Sequence, residues 1–199
     1  MLSNNYFKLF WIFSVLLFVS SCGKKNQPVN LNDEHVVKNI SEELLGKEIK
    51  FSLAGYFSSD SAKSIIAGTE ISDKNRQGII FSLIEEGDGE FRIVYDTGLL
   101  NGSFEKCLVD RMKFSSSEGE MIYYNSQDYF LGTAGGDIYS YVIDFVKKEV
   151  YYAHLVVHKS TQSSLYLSEN VQDPLLRKFF ISYFKKDYGA LNMLKSDVL

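Results

Sequence analysis

Between Lys47 and Ser168 the chain runs in short stretches of alternating apolar and polar residues, divided by polar or glycine-containing turns. That period of two leaves it little to fold into except antiparallel sheet, because successive side chains of a strand point to opposite faces. Glu48–Phe57 places Ile49, Phe51 and Leu53 on one parity, and Phe91, Ile93 and Tyr95 alternate with Arg92, Val94 and Asp96. Ile79–Ile84 is apolar on both parities, the pattern of a strand covered on both faces, and is expected in the middle of a sheet. Lys63–Ile71 is a weaker candidate, Met121–Tyr124 a short one, and Leu165 and Leu167 mark a last short strand. Leu108, Met112 and Phe114 put one side of another strand inward, although Asp110 shares that side. Ile138–Phe145 and Val150–His158 form the strongest pair.

The breaks are equally readable. Ser58–Ala62 and Ser72–Gly78 are polar loops, and Glu85-Glu86-Gly87-Asp88-Gly89-Glu90 is a hairpin loop with glycines for positive φ. Val146-Lys147-Lys148-Glu149 lacks the Gly or Asn of the favoured tight turns, so the register of the strongest pair is not fixed by its link. Residues 125–137 are irregular and end in Thr133-Ala134-Gly135-Gly136-Asp137. Helical periodicity appears only at the two ends. Asn32–Leu45 has Asn32 or Asp33 as a cap, Val36, Val37, Ile40 and Leu44 on one face, and Gly46 as a stop. Asp173-Pro174 opens a second helix with Leu176, Phe179, Phe180 and Tyr183 as its apolar face, Lys185 and Lys186 at its negative end and Gly189 as its stop. No strand–helix–strand rhythm implies a parallel sheet. The expected fold is mainly β: a bent antiparallel sheet or barrel-like domain of roughly eight to ten strands with a helix at each end packed on it.

The start of the chain follows different rules. Lys8 precedes an apolar run from Leu9 to Val19, interrupted only by Ser14, and then comes Val19-Ser20-Ser21-Cys22 followed by Gly23-Lys24-Lys25. A positive start, a short apolar core and small residues before a cut site are the pattern of a secretory signal, and the run is too short for the ~20 apolar residues of a membrane-spanning helix. An aliphatic residue, two small residues and a Cys resemble the lipobox of bacterial lipoproteins. The resemblance covers residues 1–22. It implies cleavage before Cys22, a diacylglycerol thioether on that Cys, acylation of the new amino terminus, and a mature protein hung by lipid from the bacterial cell envelope. Gly23 is not the Asp that resembles an inner-membrane retention signal in enteric-type sorting, which favours the outer membrane.

Removing residues 1–21 from the 199 leaves 178, a length that suits one domain. The expected layout is a signal peptide over 1–21, lipidated Cys22 with a polar tether to residue 31, and a single domain over 32–199. Formal charge is −4, and losing Lys8 brings the mature chain near −5. That argues against a nucleic-acid partner, which demands a basic face. With Cys22 lipidated, Cys107 has no disulfide partner.

Chemistry-bearing patterns are sparse. His154 and His158 fall on one face of one strand but lie roughly 13 Å apart at about 3.4 Å per residue, too far to share a metal. Glu85, Glu86, Asp88 and Glu90 crowd one hairpin without EF-hand spacing, and read as a solvated acidic loop. The glycines at 135 and 136 match neither Walker A nor GxGxxG spacing, and GxSxG, HExxH and CxxC are absent. No catalytic residue, metal ligand or cofactor is assigned on these grounds. Asp60-Ser61-Ala62 resembles the Asp-Ser/Thr-small-or-aliphatic site of bacterial general O-glycosylation systems.

Aromatic residues make up 15% of the chain, nearly all Tyr and Phe, which suit strands and cores. Tyr139, Tyr141, Tyr151 and Tyr152, with His154, are the one cluster that marks a surface, although in another register the same rings floor the final helix. The expected function is a non-catalytic binding module for a protein, a glycan or a lipophilic ligand, anchored to the membrane by its N-terminal lipid. A closed barrel with a cavity implies a lipophilic carrier. A filled interior implies protein interaction, for example an inhibitor or immunity-type protein of the envelope. A third class is an enzyme with scattered residues that uses Cys107 or His154.

Overall fold

In a computed structural model of the chain, the described residues are 29–74, 77–105, 107–115, 117–126, 135–158 and 162–187. In order they form α1 (Glu34–Leu45), β1 (Phe51–Gly55), β2 (Ser64–Ser72), β3 (Gln77–Gly87), β4 (Glu90–Asp96), β5 (Cys107–Met112), β6 (Met121–Ser126), β7 (Gly135–Asp144), β8 (Glu149–His158), β9 (Gln162–Leu167) and α2 (Pro174–Asp187). The described residues are mainly β and antiparallel throughout, with nine strands and a helix at each end, as the alternation implies. The strands make two sheets, ordered β1-β2-β3-β4 and β5-β6-β7-β8-β9, rather than one closed barrel. Among the described residues, no helix is long and apolar enough to cross a membrane.

Three apolar clusters define four layers. Between the sheets lie Phe57, Ile66, Phe81 and Leu83 from one side and Ile122, Tyr124, Ile143 and Phe145 from the other. Under α1, Val37 packs with Ile65, Ala67 and Ile84 on the far face of the first sheet. Under α2, Leu176, Phe180 and Phe184 pack with Tyr123, Val142, Ala153 and Leu155 on the far face of the second. Each sheet is therefore covered on both faces at its centre. This explains why β3 is apolar on both parities and why all six residues of β6 are buried. It also raises Ser64–Ser72 from a weak candidate to a nine-residue interior strand whose first six residues are buried.

The helices are held as their sequences require. Asp33 caps α1, its carboxylate accepting from His35 N–H at 2.9 Å, and Gly46 ends the helix at φ +63°. Asp173 accepts from Leu175 N–H at 2.8 Å at the start of α2. Gly189 and the tail from Ala190 lie outside the described residues.

Several local expectations are corrected. The acidic hairpin loop shrinks to Asp88-Gly89, both at positive φ (56° and 81°), and Glu85 and Glu86 belong to β3. β4 is not a clean alternation. Leu83 pairs with Tyr95 and Ile84 with Ile93, so Val94 is an extra residue that switches faces. Phe91 consequently packs under α1 and Tyr95 against the inter-sheet core, while Ile93 is exposed on an edge strand. Ile49 precedes β1 and joins the cluster under α1, opposite to Phe51 and Leu53. On β5, Cys107 and Val109 turn toward the inter-sheet core, Met112 and Phe114 toward α2, and Leu108 is exposed at the sheet edge. Gly135, Gly136 and Asp137 are the opening of β7, not a loop. The β7–β8 link works without Gly or Asn because the Asp144 carboxylate accepts from Lys147 N–H at 3.0 Å and Lys148 takes φ +56°.

The sheets are joined by a loop fixed to their common core. Leu100 forms a bridge with Ile79, Tyr124 donates its phenol proton to Ser103 C=O at 2.9 Å, and Tyr141 Oη accepts from Asn101 N–H at 3.1 Å. Gly68 is needed beneath this loop, since a Cβ there would lie 2.5 Å from the Phe104 ring.

Candidate functional site: an aromatic strip at the open side of the second sheet

The two sheets have unequal width, and the first does not cover the whole inner face of the second. Over Tyr124 on β6 and Tyr141 on β7 the cover is complete, and both are buried. Toward β8 and β9 it runs out. There Tyr152 is 41% and Tyr166 55% exposed.

Register assembles the strip. Tyr139 on β7 lies opposite His154 on β8, which lies opposite Tyr166 on β9, and Tyr141 lies opposite Tyr152. The Tyr139 and His154 rings stack at 4.3 Å with planes 10° apart, and Tyr166 sits 6.0 Å from His154 on its other side. Tyr139 and Tyr141 stack at 6.4 Å, and Tyr141 reaches Tyr152 at 6.2 Å. One row of rings therefore runs from the buried core to solvent. Asp137, on the same face of β7, holds His154 Nε2 at 2.7 Å, with the carboxylate 56% and the ring 22% exposed. The outer end of β8 is pinned by Ser168, whose hydroxyl accepts from Tyr152 N–H at 3.0 Å, and by Asn170, which donates to Val150 C=O at 3.2 Å.

Burial raises the phenol pKa along the strip. Tyr141 is pushed up to about 12 by burial, against the lowering hydrogen bond from Asn101. Tyr139 is raised by burial first and then by the Asp137 carboxylate and Tyr152. Both are neutral hydrogen-bonding groups at physiological pH.

Of the sequence-derived surface residues, the fold brings together Tyr139, Tyr141, Tyr152 and His154. Tyr151 points the other way. It is buried under α2 with Ala153 and Leu155, so it is the floor of the helix and no part of the surface. Its phenol is raised by burial and by the neighbouring Glu149 carboxylate. His158 continues β8, and its side chain lies outside the described residues. Cys22 also lies outside them. Asp137 and Tyr166 complete the strip but were hidden in the sequence: Asp137 behind its glycines, and Tyr166 behind the two flanking leucines that suggested only core. The alternation Leu165-Tyr166-Leu167 did carry the signal, since it puts the tyrosine on the face opposite two apolar residues.

Other candidates are dispersed. Among the described residues, no group of three or more His, Cys, Asp or Glu side chains could hold a metal ion. The Cys107 thiol donates to Phe104 C=O at 3.7 Å, and its pKa is raised by burial and then by the negative charge of Glu70, the reverse of what activates a nucleophile. Ser61 is exposed on the β1–β2 loop, beside an Asp60 carboxylate that pairs with Lys113 at 2.6 Å.

The fold and the strip thus define a two-sheet, four-layer domain with an uncovered aromatic face. Comparison of the chain with protein-family models, with curated proteins and with solved structures gives no match.

Proposed function

We propose that this chain is a lipid-anchored protein of the bacterial envelope whose domain is a non-catalytic binding module, engaging a protein partner through the Tyr139–His154–Tyr166 strip and Tyr152. The observation that carries this reading is a row of partly exposed aromatic rings beside a hydrogen-bonded Asp137–His154 pair. Tyrosines offer a large apolar body with a polar tip and few rotamers to freeze, which is why they concentrate at protein interfaces. The interior favours this role over that of a lipophilic carrier. The space between the sheets is filled by fully buried Phe57, Phe81, Tyr124 and Phe145. The lipobox resemblance supports the anchor, and it restricts the partner to the envelope.

The test is photo-crosslinking in intact cells, with a photoreactive residue at Tyr152 or, as the control, at Leu175, which is also exposed but lies on α2. The reading expects one reproducible adduct from position 152 that is lost on His154→Ala, and none from position 175. Equal adducts from both positions would refute the strip as the binding face.

A further inference from the structure

Among the described residues, the first sheet ends at β1, which is paired only on its β2 side. Phe51–Gly55 holds no charge and no proline. Just past it, Tyr56 turns its backbone away from β2. Its C=O accepts from Glu120 N–H at 2.8 Å, and its N–H donates to the Glu120 carboxylate at 2.8 Å. Backbone direction alternates along an antiparallel ladder. Ala54 and Ser52 therefore turn their N–H and C=O the same way as Tyr56, with no strand to receive them among the described residues, while Phe51 and Leu53 bond to β2.

A cleft of about 350 Å³ opens here, lined by Ser52, Leu53 and Ala54 of β1. Its walls come from two sides. α1, packed over one face of the first sheet, supplies Val37 and Glu34, and β5, from the sheet against the other face, supplies Arg111. Only the edge of β1 can meet both, so the cleft runs along the backbone groups that Ser52 and Ala54 leave unpaired. Its size falls within the ~300–1,000 Å³ of ligand sites.

The two walls differ in chemistry. On the α1 side, Val37, Ala54 and Leu31 make an apolar floor, with the exposed Glu34 and half-buried Lys63 beside it. On the other side, Arg111 follows Cys107 and Val109 in alternation and so points with them toward the first sheet. Among the described residues its guanidinium has no partner. Lys63 donates to the Asn32 side-chain oxygen and lies 5.9 Å over the Tyr56 ring, and it pairs with no carboxylate among those residues.

We propose that this cleft takes an extended acidic segment of a partner protein, which adds to β1 as an antiparallel strand. Alternate residues of the segment pair directly with Ser52 and Ala54, so their side chains fall on the α1 side and are apolar. The residues between them face Arg111 and are acidic, since a guanidinium takes a carboxylate through two parallel hydrogen bonds. Main-chain bonds supply the affinity and the two walls supply the choice of sequence. Tyr56 and Glu120 close one end of the edge, and the added strand stops there. A second copy of β1 does not fit, because Phe51–Gly55 offers Arg111 no carboxylate. β5 and β9 are opposite edges of the five-stranded sheet, so the cleft lies away from the aromatic strip and does not rest on it.

Fluorescence polarisation of the full chain in detergent tests this, with the labelled peptide Val-Glu-Val-Glu-Val as the probe. It should bind saturably below about 1 mM. Methylating the valine amides removes the N–H groups that meet β1 and should abolish binding, whereas methylating the glutamate amides, which face away, should not. Val-Lys-Val-Lys-Val should bind at least ~10-fold more weakly, and Arg111→Gln should weaken the acidic peptide roughly tenfold. Arg111 is exposed, so the variant should melt as the wild type does. Hydrogen exchange gives a second reading: the bound peptide should slow the amides of Ser52 and Ala54 and leave Phe51 and Leu53 nearly unchanged. No saturable binding of the acidic peptide would overturn the proposal. So would binding indifferent to the valine amides or to Arg111→Gln, or equal binding of the lysine peptide.

Discussion

Phe81→Ala is the substitution that most directly probes how the two sheets hold together. Phe81 is fully buried in β3 and projects from the first sheet into the core shared with the second. Its ring meets Tyr124 at 5.6 Å and Phe104 at 5.7 Å, both edge-on, and Phe51 at 6.0 Å. Truncating a buried Phe costs about 3–5 kcal/mol through lost transfer energy and the cavity left behind. Edge-to-face pairs contribute about 0.5–1.5 kcal/mol each beyond area, and three are lost at once, so the expected loss lies near the top of that range, about 4–5 kcal/mol. For a chain of this size that lowers Tm by roughly 10–15 °C. Equilibrium urea unfolding measures the loss, with the slope unchanged if the native state keeps its compactness. Tyr152→Ala, at a position 41% exposed, serves as the comparison and should cost about 1 kcal/mol or less. A loss below about 1 kcal/mol for Phe81→Ala would mean that the sheets do not pack through this ring, and the four-layer description would fail.

Two further outcomes follow from the pKa shifts. Tyr141 titrates at about 12 when folded against about 10 when unfolded, so both states keep the proton below pH ~10 and the unfolded state loses it first above that. Tyr141 alone should hold stability to about pH 10 and withdraw ~2–3 kcal/mol as pH rises to about 12; phenolate absorbance that develops at pH ~10 without unfolding and is missing from a Tyr141→Phe variant would contradict the burial. Cys107, raised by burial and by Glu70, should alkylate more slowly than a free thiol at neutral pH, and Glu70→Gln should speed it modestly by removing the opposing charge; reaction at the free-thiol rate would show that the thiol is open.

The antiparallel class, the capped helices and the two-sided burial of Ile79–Ile84 were legible because each rests on local chemistry: a period, a cap, an apolar run. The division into two sheets was not, since it depends on the connection from Asp96 to Cys107 leaving one sheet for another, and only the tertiary bonds of Leu100, Ser103 and Asn101 reveal that. The faces of β4 were misjudged for a similar reason. One extra residue, Val94, inverts the parity, and nothing in Phe91–Asp96 marks it. At the candidate site the tyrosines stood out by number, but Tyr151 and Tyr152 are neighbours on a strand and must part to opposite faces. Which one stays outside was set by the position of α2, which buries the Tyr151 side.

The central claim, a binding domain hung from an envelope membrane, turns on Cys22. Mass spectrometry of the membrane-extracted mature protein, beside a Cys22→Ala variant, tests it most directly. The account predicts an N-terminal Cys22 carrying three acyl chains and release of the variant from the membrane. An unmodified Cys22 with residues 1–21 still attached would contradict it, and would leave both the anchor and the envelope partner without support.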